Sequence, residues 1–316
     1  MTHVTVIIPT FRRPDSLARA LDSAREQVVP GADLTVMVVD NDIHASAREV
    51  CEARPDVIYL HEPRAGVSHA RNTGLDANTS RHVFFLDDDM RAEPGCIATL
   101  LGALERWDAG VASAAVTASM PGDGELESEM RDFFSRRLDA PEGPTRKRLG
   151  AGGTLFDLDR CDMPSPAFDP DCNETGGEDD RLLGTLDERG TTLLWVPDAH
   201  TTEFVPAHRA TLDYLWTRNF AFGQGPTQGA ADSYADAPSV ADLGRIAYWM
   251  AVGAAQAALR APGWLADRLL ASPRRARSHA MMAQALGKVF WWGGFKPRLY
   301  GEAGQARLSR ATRTAD

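Results

Sequence analysis

Apolar residues in the first third of the chain gather in runs of strand length, at 4–8, 34–39, 57–60 and 83–86, separated by segments of helix length. Each run is followed by a polar, glycine-bearing or capped stretch, and this alternation predicts βαβ units building a parallel sheet. Pro14-Asp15-Ser16-Leu17 opens a helix in which Leu17, Ala20, Leu21 and Ala24 share one face, and Glu93-Pro94 opens another through Ile97, Leu100, Leu101 and Leu104. Between 120 and 150 the pattern weakens into a charged connection with one amphipathic piece over 127–138, read as a surface excursion. Apolar runs resume at 154–156 and 192–196 and bracket Gly176-Gly177-Glu178-Asp179-Asp180, which heads a helix through Leu182, Leu183 and Leu186. The sheet is expected to end near 206, with helices alone from 207 onward. The predicted class is α/β, a mostly parallel central sheet flanked by helices and followed by a C-terminal helical appendage.

Parallel strands covered on both faces are apolar almost throughout, so polar residues at their carboxyl ends stand out, and ligands of open α/β sheets bind there. Here Pro9-Thr10-Phe11-Arg12 follows the first strand, Asp40-Asn41-Asp42 the second and Asp87-Asp88-Asp89 the fourth. Three polar strand ends on one rim predict a site.

Asp87-Asp88-Asp89 is the sharpest feature, because adjacent carboxylates repel unless a cation or solvent sits among them. Alternate side chains of an extended segment point the same way, so Asp87 and Asp89 share a direction that Asp88 does not. Oxygen ligands suit Mg or Mn, whose shell substrate phosphates commonly complete. The competing reading is a solvated acidic turn before the helix near Glu93. Glu178-Asp179-Asp180 lies roughly ninety residues later. Alone it reads as first-turn acids favouring the positive end of a helix dipole. Paired with the first cluster, it suggests two separated roles, one for a metal and one for a general base. Gly66-Val67-Ser68-His69-Ala70-Arg71-Asn72 leads from a glycine turn into a short helix, and both a helix start and an arginine suit phosphate. Neither the dinucleotide fingerprint nor a phosphate loop is present, so a nicotinamide or ordinary ATP reading has no motif behind it.

Composition narrows the partners. The chain has 316 residues, 43% hydrophobic and 25% charged, with 34 basic against 44 acidic side chains and a net charge of −10. That balance argues against bulk nucleic-acid binding. Cys51, Cys96, Cys161 and Cys172 form no C-x-x-C pair, which disfavours a zinc knuckle and a disulfide scaffold. The apolar start is too short for a signal-peptide core, and the stretch 246–259 falls short of the ~18 to 20 apolar residues of a spanning helix. A cytoplasmic protein is expected.

Taken in order, Val6-Ile7-Ile8-Pro9-Thr10-Phe11-Arg12-Arg13, Val38-Val39-Asp40-Asn41, Ala70-Arg71-Asn72-Thr73-Gly74, Phe85-Leu86-Asp87-Asp88-Asp89 and Gly177-Glu178-Asp179-Asp180 resemble family 2 glycosyltransferases of the GT-A fold. The resemblance covers about residues 3–222. It implies an inverting enzyme that transfers a sugar from a nucleoside diphosphate donor, most often a UDP-sugar, with divalent Mn or Mg on the diphosphate. By position, Thr10 and Arg12 would line the nucleoside pocket, Asp40 would hydrogen-bond the base, and Arg71 would approach base or diphosphate. Asp87 and Asp88 would sit near ribose or sugar, and Asp89, with Asp87, would hold the metal. Asp179 would be the general base, with Glu178 and Asp180 on the acceptor side. His200 is the candidate for a further metal ligand that many GT-A enzymes carry after the acidic pair. Members often place an asparagine near Gly152-Gly153-Thr154, where this chain has none. The acceptor is expected to be a saccharide, a lipid-linked saccharide or a natural product.

The resemblance also sets a division: a catalytic domain over 1–222, with a nucleotide half to about 118 and an acceptor half from 119; a helical appendage over 223–300; and a disordered tail over 301–316. Residues 211–223 read as a helix closed by Gly223, in which Trp216 either stacks on an acceptor sugar or fills the core. The aromatic, apolar segments around 242–270 and the basic group Arg274, Arg275 and Arg277 suit either a membrane interface or packing within the protein or against a second copy. Two other functions compete. A nucleotidyltransferase would usually show a glycine-rich basic loop after its first strand, where this chain has Pro9-Thr10-Phe11-Arg12-Arg13. A non-catalytic protein would use the acidic triplet to bind Ca.

Overall fold

The structure is a computed structural model that describes residues 2–173, 176–295 and 297. In chain order it runs β1 (Thr2–Thr10), α1 (Pro14–Arg25), β2 (Ala32–Asp40), α2 (Arg48–Glu52), β3 (Val57–His61), α3 (Val67–Ala77), β4 (His82–Phe85), β5 (Met90–Ala92), α4 (Cys96–Trp107), β6 (Val111–Ser119) and α5 (Glu125–Phe134). Next come β7 (Gly143–Pro144), β8 (Thr154–Asp157), α6 (Glu178–Glu188) and β9 (Leu193–Phe204). Three helices follow, α7 (Leu212–Asp236), α8 (Val240–Leu269) and α9 (Arg275–Val289). Contacts divide the chain into two compact units, residues 1–119 with 134–204, and residues 120–133 with 205–316.

The first unit is built on one sheet in the order β3-β2-β1-β4-β8-β6-β9-β5, with β7 beside β9. β1 to β4, β6 and β9 run the same way, while β8, β5 and β7 run against them. Thr10 pairs with Asp40 at the last register position of β1 and β2, and Leu86 donates its N–H to Ile7 just past β4. The three polar strand ends therefore share a rim, as the pattern predicts. Residues 4–10 are buried without a break because helices cover both faces: Leu17, Leu21, Ile97, Leu100 and Leu104 pack on one side, Leu182, Leu183 and Leu186 on the other. Phe85 meets the rings of Phe156 and Phe168 edge-on at 5.8 and 5.3 Å, an arrangement worth about 0.5 to 1.5 kcal/mol per pair beyond area burial.

The described helical unit differs from its sequence reading. Gly223 does not close a helix at 222; α7 continues to Asp236. The glycine serves close approach instead. A Cβ on Gly223 would stand 2.3 Å from the Gln284 carbonyl oxygen, and one on Gly287 would stand 2.2 Å from that of Phe220, so α7 and α9 touch backbone to backbone. The contact boundary thus falls at 204/205, and the 120–133 excursion belongs with the helices: Glu129 accepts the N–H of Ala276, and Phe133 meets Phe222. The expected tail over 301–316 lies outside the described residues.

Gly287→Ala should cost about 1 to 3 kcal/mol through overpacking, whereas Gly229→Ala, on α7 with open space around it, should stabilise by about 1 kcal/mol. Urea unfolding followed by circular dichroism gives both signs; equal effects would contradict the close-approach account.

Candidate active site

The two acidic clusters are joined by Arg71. It stands on α3, in the turn that Gly66 opens with φ +132°, and is 4% exposed. Its Nη1 donates to Glu178 Oε1 at 2.7 Å and its Nη2 to Asp87 Oδ1 at 2.9 Å. Phe168 lies under the guanidinium at 5.3 Å, and Nε has no hydrogen-bond partner among the described residues. Burial works against the charged form of Asp87, yet Arg71, Arg136 and Arg13 hold its carboxyl below the usual range. Glu178 goes the other way: burial raises its pKa, Arg71 opposes, and Asp179 adds repulsion.

Asp88 and Asp89 receive a different arginine. Arg13 Nη1 lies 3.0 Å from Asp88 Oδ1 and 3.0 Å from Asp89 Oδ2, and Thr10 Oγ1 donates to the other oxygen of Asp88 at 2.8 Å. Burial pushes the Asp88 carboxyl up to about 6, against Arg13 and Thr10 and with added repulsion from Asp89 and Asp87. Gly152 makes the close packing at Asp87 workable, because a Cβ there would come within 2.2 Å of Asp87 Oδ2.

Asp179 and Asp180 occupy the first turn of α6. Asp179 Oδ1 accepts the Asp180 N–H, and its Oδ2 lies 3.0 Å from where a Cβ on Gly150 would stand. Arg71 feels its charge after those of Asp87 and Glu178. Asp180 points to solvent and pairs with Arg148. Arg136 completes the charge pattern from the loop after α5: its Nη2 donates weakly to the Gly152 carbonyl at 3.3 Å and to Met90 Sδ, and its buried Nε has no partner among the described residues.

On the β2 side, Asp40 is fully buried and accepts the N–H groups of Asp42 and Ala47 and the Tyr59 hydroxyl. Half of its lone-pair capacity is spent on shaping the turn. Arg12 is exposed, adopts φ 54° and pairs with Asp42 at 3.1 Å.

The structure thus gathers Thr10, Arg71, Asp87, Asp88, Asp89, Glu178 and Asp179 at the rim. It does not bring His200 there. His200 is exposed near the start of the second half of β9, its carbonyl taken by Glu93, whereas Asp89 meets the strand at Phe204, four residues further on. No group of three His, Cys, Asp or Glu residues among the described ones is arranged to hold a metal. Trp216 packs within the helical unit, its ring 4.6 Å from His279 and 6.1 Å from Trp264, which is the core alternative of its sequence reading. Arg13 and Arg136 were not legible as site residues. Arg13 follows Arg12 after the first strand without a signal separating the two, and Arg136 lies where the apolar pattern is weakest.

The central sheet flanked by helices has the GT-A fold, which it shares with solved structures. The mannosyltransferase PcManGT from Pyrobaculum calidifontis, in complex with GDP-Man and Mn2+, superposes with a TM-score of 0.57 at 20% identity over 91% of this chain and 87% of that one. S. aureus TarS 1-349 in complex with UDP gives 0.55 at 13% identity over 91% and 90%. In sequence, the glycosyl transferase family 2 model matches residues 5–159. The succinoglycan biosynthesis protein ExoM of Rhizobium meliloti (strain 1021) is 32% identical over 228 residues, 70% of this chain and 73% of that protein. The chain belongs to glycosyltransferase family 2.

Proposed function

We propose that this glycosyltransferase inverts the anomeric centre as it transfers a sugar from a nucleoside diphosphate, UDP-sugars first, to an acceptor hydroxyl, with Asp179 as general base. The observation that carries the reading is the single rim on which Arg71 ties Asp87 to Glu178, so that donor-side and acceptor-side carboxylates face one volume. Inversion needs a base opposite the departing phosphate, and of the three acids in the first turn of α6 Asp179 is the one that pairs with neither Arg71 nor Arg148. It would accept the acceptor proton as the hydroxyl oxygen attacks the anomeric carbon and the bond to the diphosphate breaks. Glu178, held by Arg71, fixes the start of α6 and thereby the direction of Asp179.

The triplet fits a divalent metal in its donor chemistry: hard oxygen ligands, of which one or two suffice when phosphates complete the shell. Arg13 already stands as a cation beside Asp89 and Arg71 beside Asp87, so each of the two carboxylates has the charge preference a metal requires. Asp89, with Asp87, would hold it. When bound, Mn or Mg would neutralise the charge on the departing diphosphate. The Mn2+ and GDP-Man of one fold neighbour, and the UDP of another, support a metal and a nucleoside diphosphate without choosing the nucleotide. The likeness to a succinoglycan biosynthesis protein supports a saccharide acceptor, free or lipid-linked.

Calorimetry with UDP and GDP, each with and without Mn, tests the donor side. Binding should require metal and weaken at least tenfold in Asp89→Ala; metal-independent binding that the variant keeps would remove this reading.

A further inference from the structure

No described helix is long and apolar enough to cross a membrane, yet α8 presents an apolar face to solvent. Over 30 residues, its exposed positions are alanine, glycine, valine, leucine, proline and Tyr248, apart from Arg245 and Arg268. None is acidic. Val240, Leu259, Leu269 and Leu270 are 80 to 86% exposed, and Leu243 and Leu265 about half. The spacing is regular: the triplet at 240, 243 and 247 recurs at 251, 254 and 258 and again at 262, 265 and 269, all nine positions apolar. An eleven-residue repeat advances about 3.67 residues per turn, close to the 3.6 of a straight helix, so the stripe runs along one side instead of winding round it.

The opposite side of α8 is satisfied. A Cβ on Gly253 would stand 2.6 Å from the Ala285 carbonyl oxygen, which seats α8 against α9, and Trp264 donates to His279 Nδ1. The exposed stripe is thus the helix's second apolar face, beyond the one its fold consumes. The segment itself is basic: residues 240–295 hold seven Arg or Lys (245, 260, 268, 274, 275, 277 and 288) against two Asp (242 and 267), a net +5 in a chain of net −10. Arg274 and Arg277 are exposed just past the leucine-rich end, and Arg268 lies over Trp264.

We propose that the solvent face of α8 is a docking surface for an anionic phospholipid bilayer, on which the helix lies in the interface plane. Length, a one-sided apolar stripe, flanking arginines and an aromatic at the boundary suit interfacial seating. Charge decides against a second copy as occupant. Pairing this face with itself would bring two net-positive segments together with no acid in the exposed stripe to answer them, whereas acidic headgroups complement both arginine groups. The inference goes beyond the catalytic reading and does not depend on it.

Flotation of the full chain with phosphatidylcholine vesicles, with and without phosphatidylglycerol, tests it directly. Binding should require phosphatidylglycerol and weaken as salt shortens the Debye length. Leu265→Glu with Leu269→Glu should abolish flotation. Arg274→Gln with Arg277→Gln should weaken it roughly 30-fold, at about 1 kcal/mol per charge near the surface. All four positions are exposed or half-exposed, and unchanged circular dichroism melting confirms that each variant folds. Equal flotation of wild type and both variants overturns the proposal. So does failure to bind phosphatidylglycerol vesicles by a chain that sediments as a dimer and becomes monomeric in the leucine variant.

Discussion

Asp179→Asn should lower turnover by about 100- to 10,000-fold while leaving donor affinity within a factor of about two. The argument rests on what the substitution keeps. Asparagine has the same shape and still offers an oxygen to the Asp180 N–H, so the first turn of α6 retains its local bond. Glu178 stays clamped by Arg71, and Asp87 on the donor side is untouched. Only the ability to take a proton is lost. Turnover is measured as released nucleoside diphosphate, and affinity by calorimetry on the same preparation. A variant with wild-type turnover would remove Asp179 as base; one that fails to bind donor would instead show Asp179 shaping the nucleotide pocket.

Arg71→Met should be the most destabilising single change at the site, by about 3 to 5 kcal/mol, or roughly 10 °C in melting temperature for a domain of this size. Methionine fills much of the volume over Phe168 but leaves Glu178 and Asp87 without their buried counter-charge. In the variant both carboxyls would carry raised folded-state pKa values. Such groups contribute stability below their unfolded pKa, near 4, and lose it as pH rises through the folded value. The deficit relative to wild type should therefore be largest at neutral pH and shrink toward pH 4. Scanning fluorimetry from pH 4 to 8 checks the trend, and a deficit independent of pH would mean that packing, not charge, accounts for the loss.

Much of this was legible from residue patterns, for identifiable reasons. β1 from Val4, β4 and the second half of β2 are buried on both faces, so their apolar runs are continuous, and the polar residues at Thr10, Asp40 and Asp87 mark where each of the three leaves the sheet. β6 was not legible. Residues 111–119 are mostly alanine and serine, with weak strand propensity and no alternation, and they become a strand because β8 and β9 hydrogen-bond them from both sides. The extent of α7 was hidden by Gly223, whose role in letting another helix approach looks the same in sequence as a helix stop. At the site, the two acidic clusters were found from spacing alone. Which arginine answers which carboxylate was not, although Arg71 itself stood in a motif, because the partner of a carboxylate is set by the fold: Arg71 reaches Glu178 across 107 positions and Arg13 reaches Asp89 across 76.

The assignment of residues 120–133 to the helices has a bearing on how this protein can be cut. Because the chain passes between the two units at 119/120, 133/134 and 204/205, neither unit is a contiguous stretch of gene. A fragment ending at 204 would keep α5 while discarding the α9 backbone that Glu129 caps and the Phe222 ring that meets Phe133. Exchange of helical appendages between relatives therefore requires two grafts, one at the carboxyl end and one inside the catalytic sequence, and a chimera made at a single junction would inherit a mismatched seam.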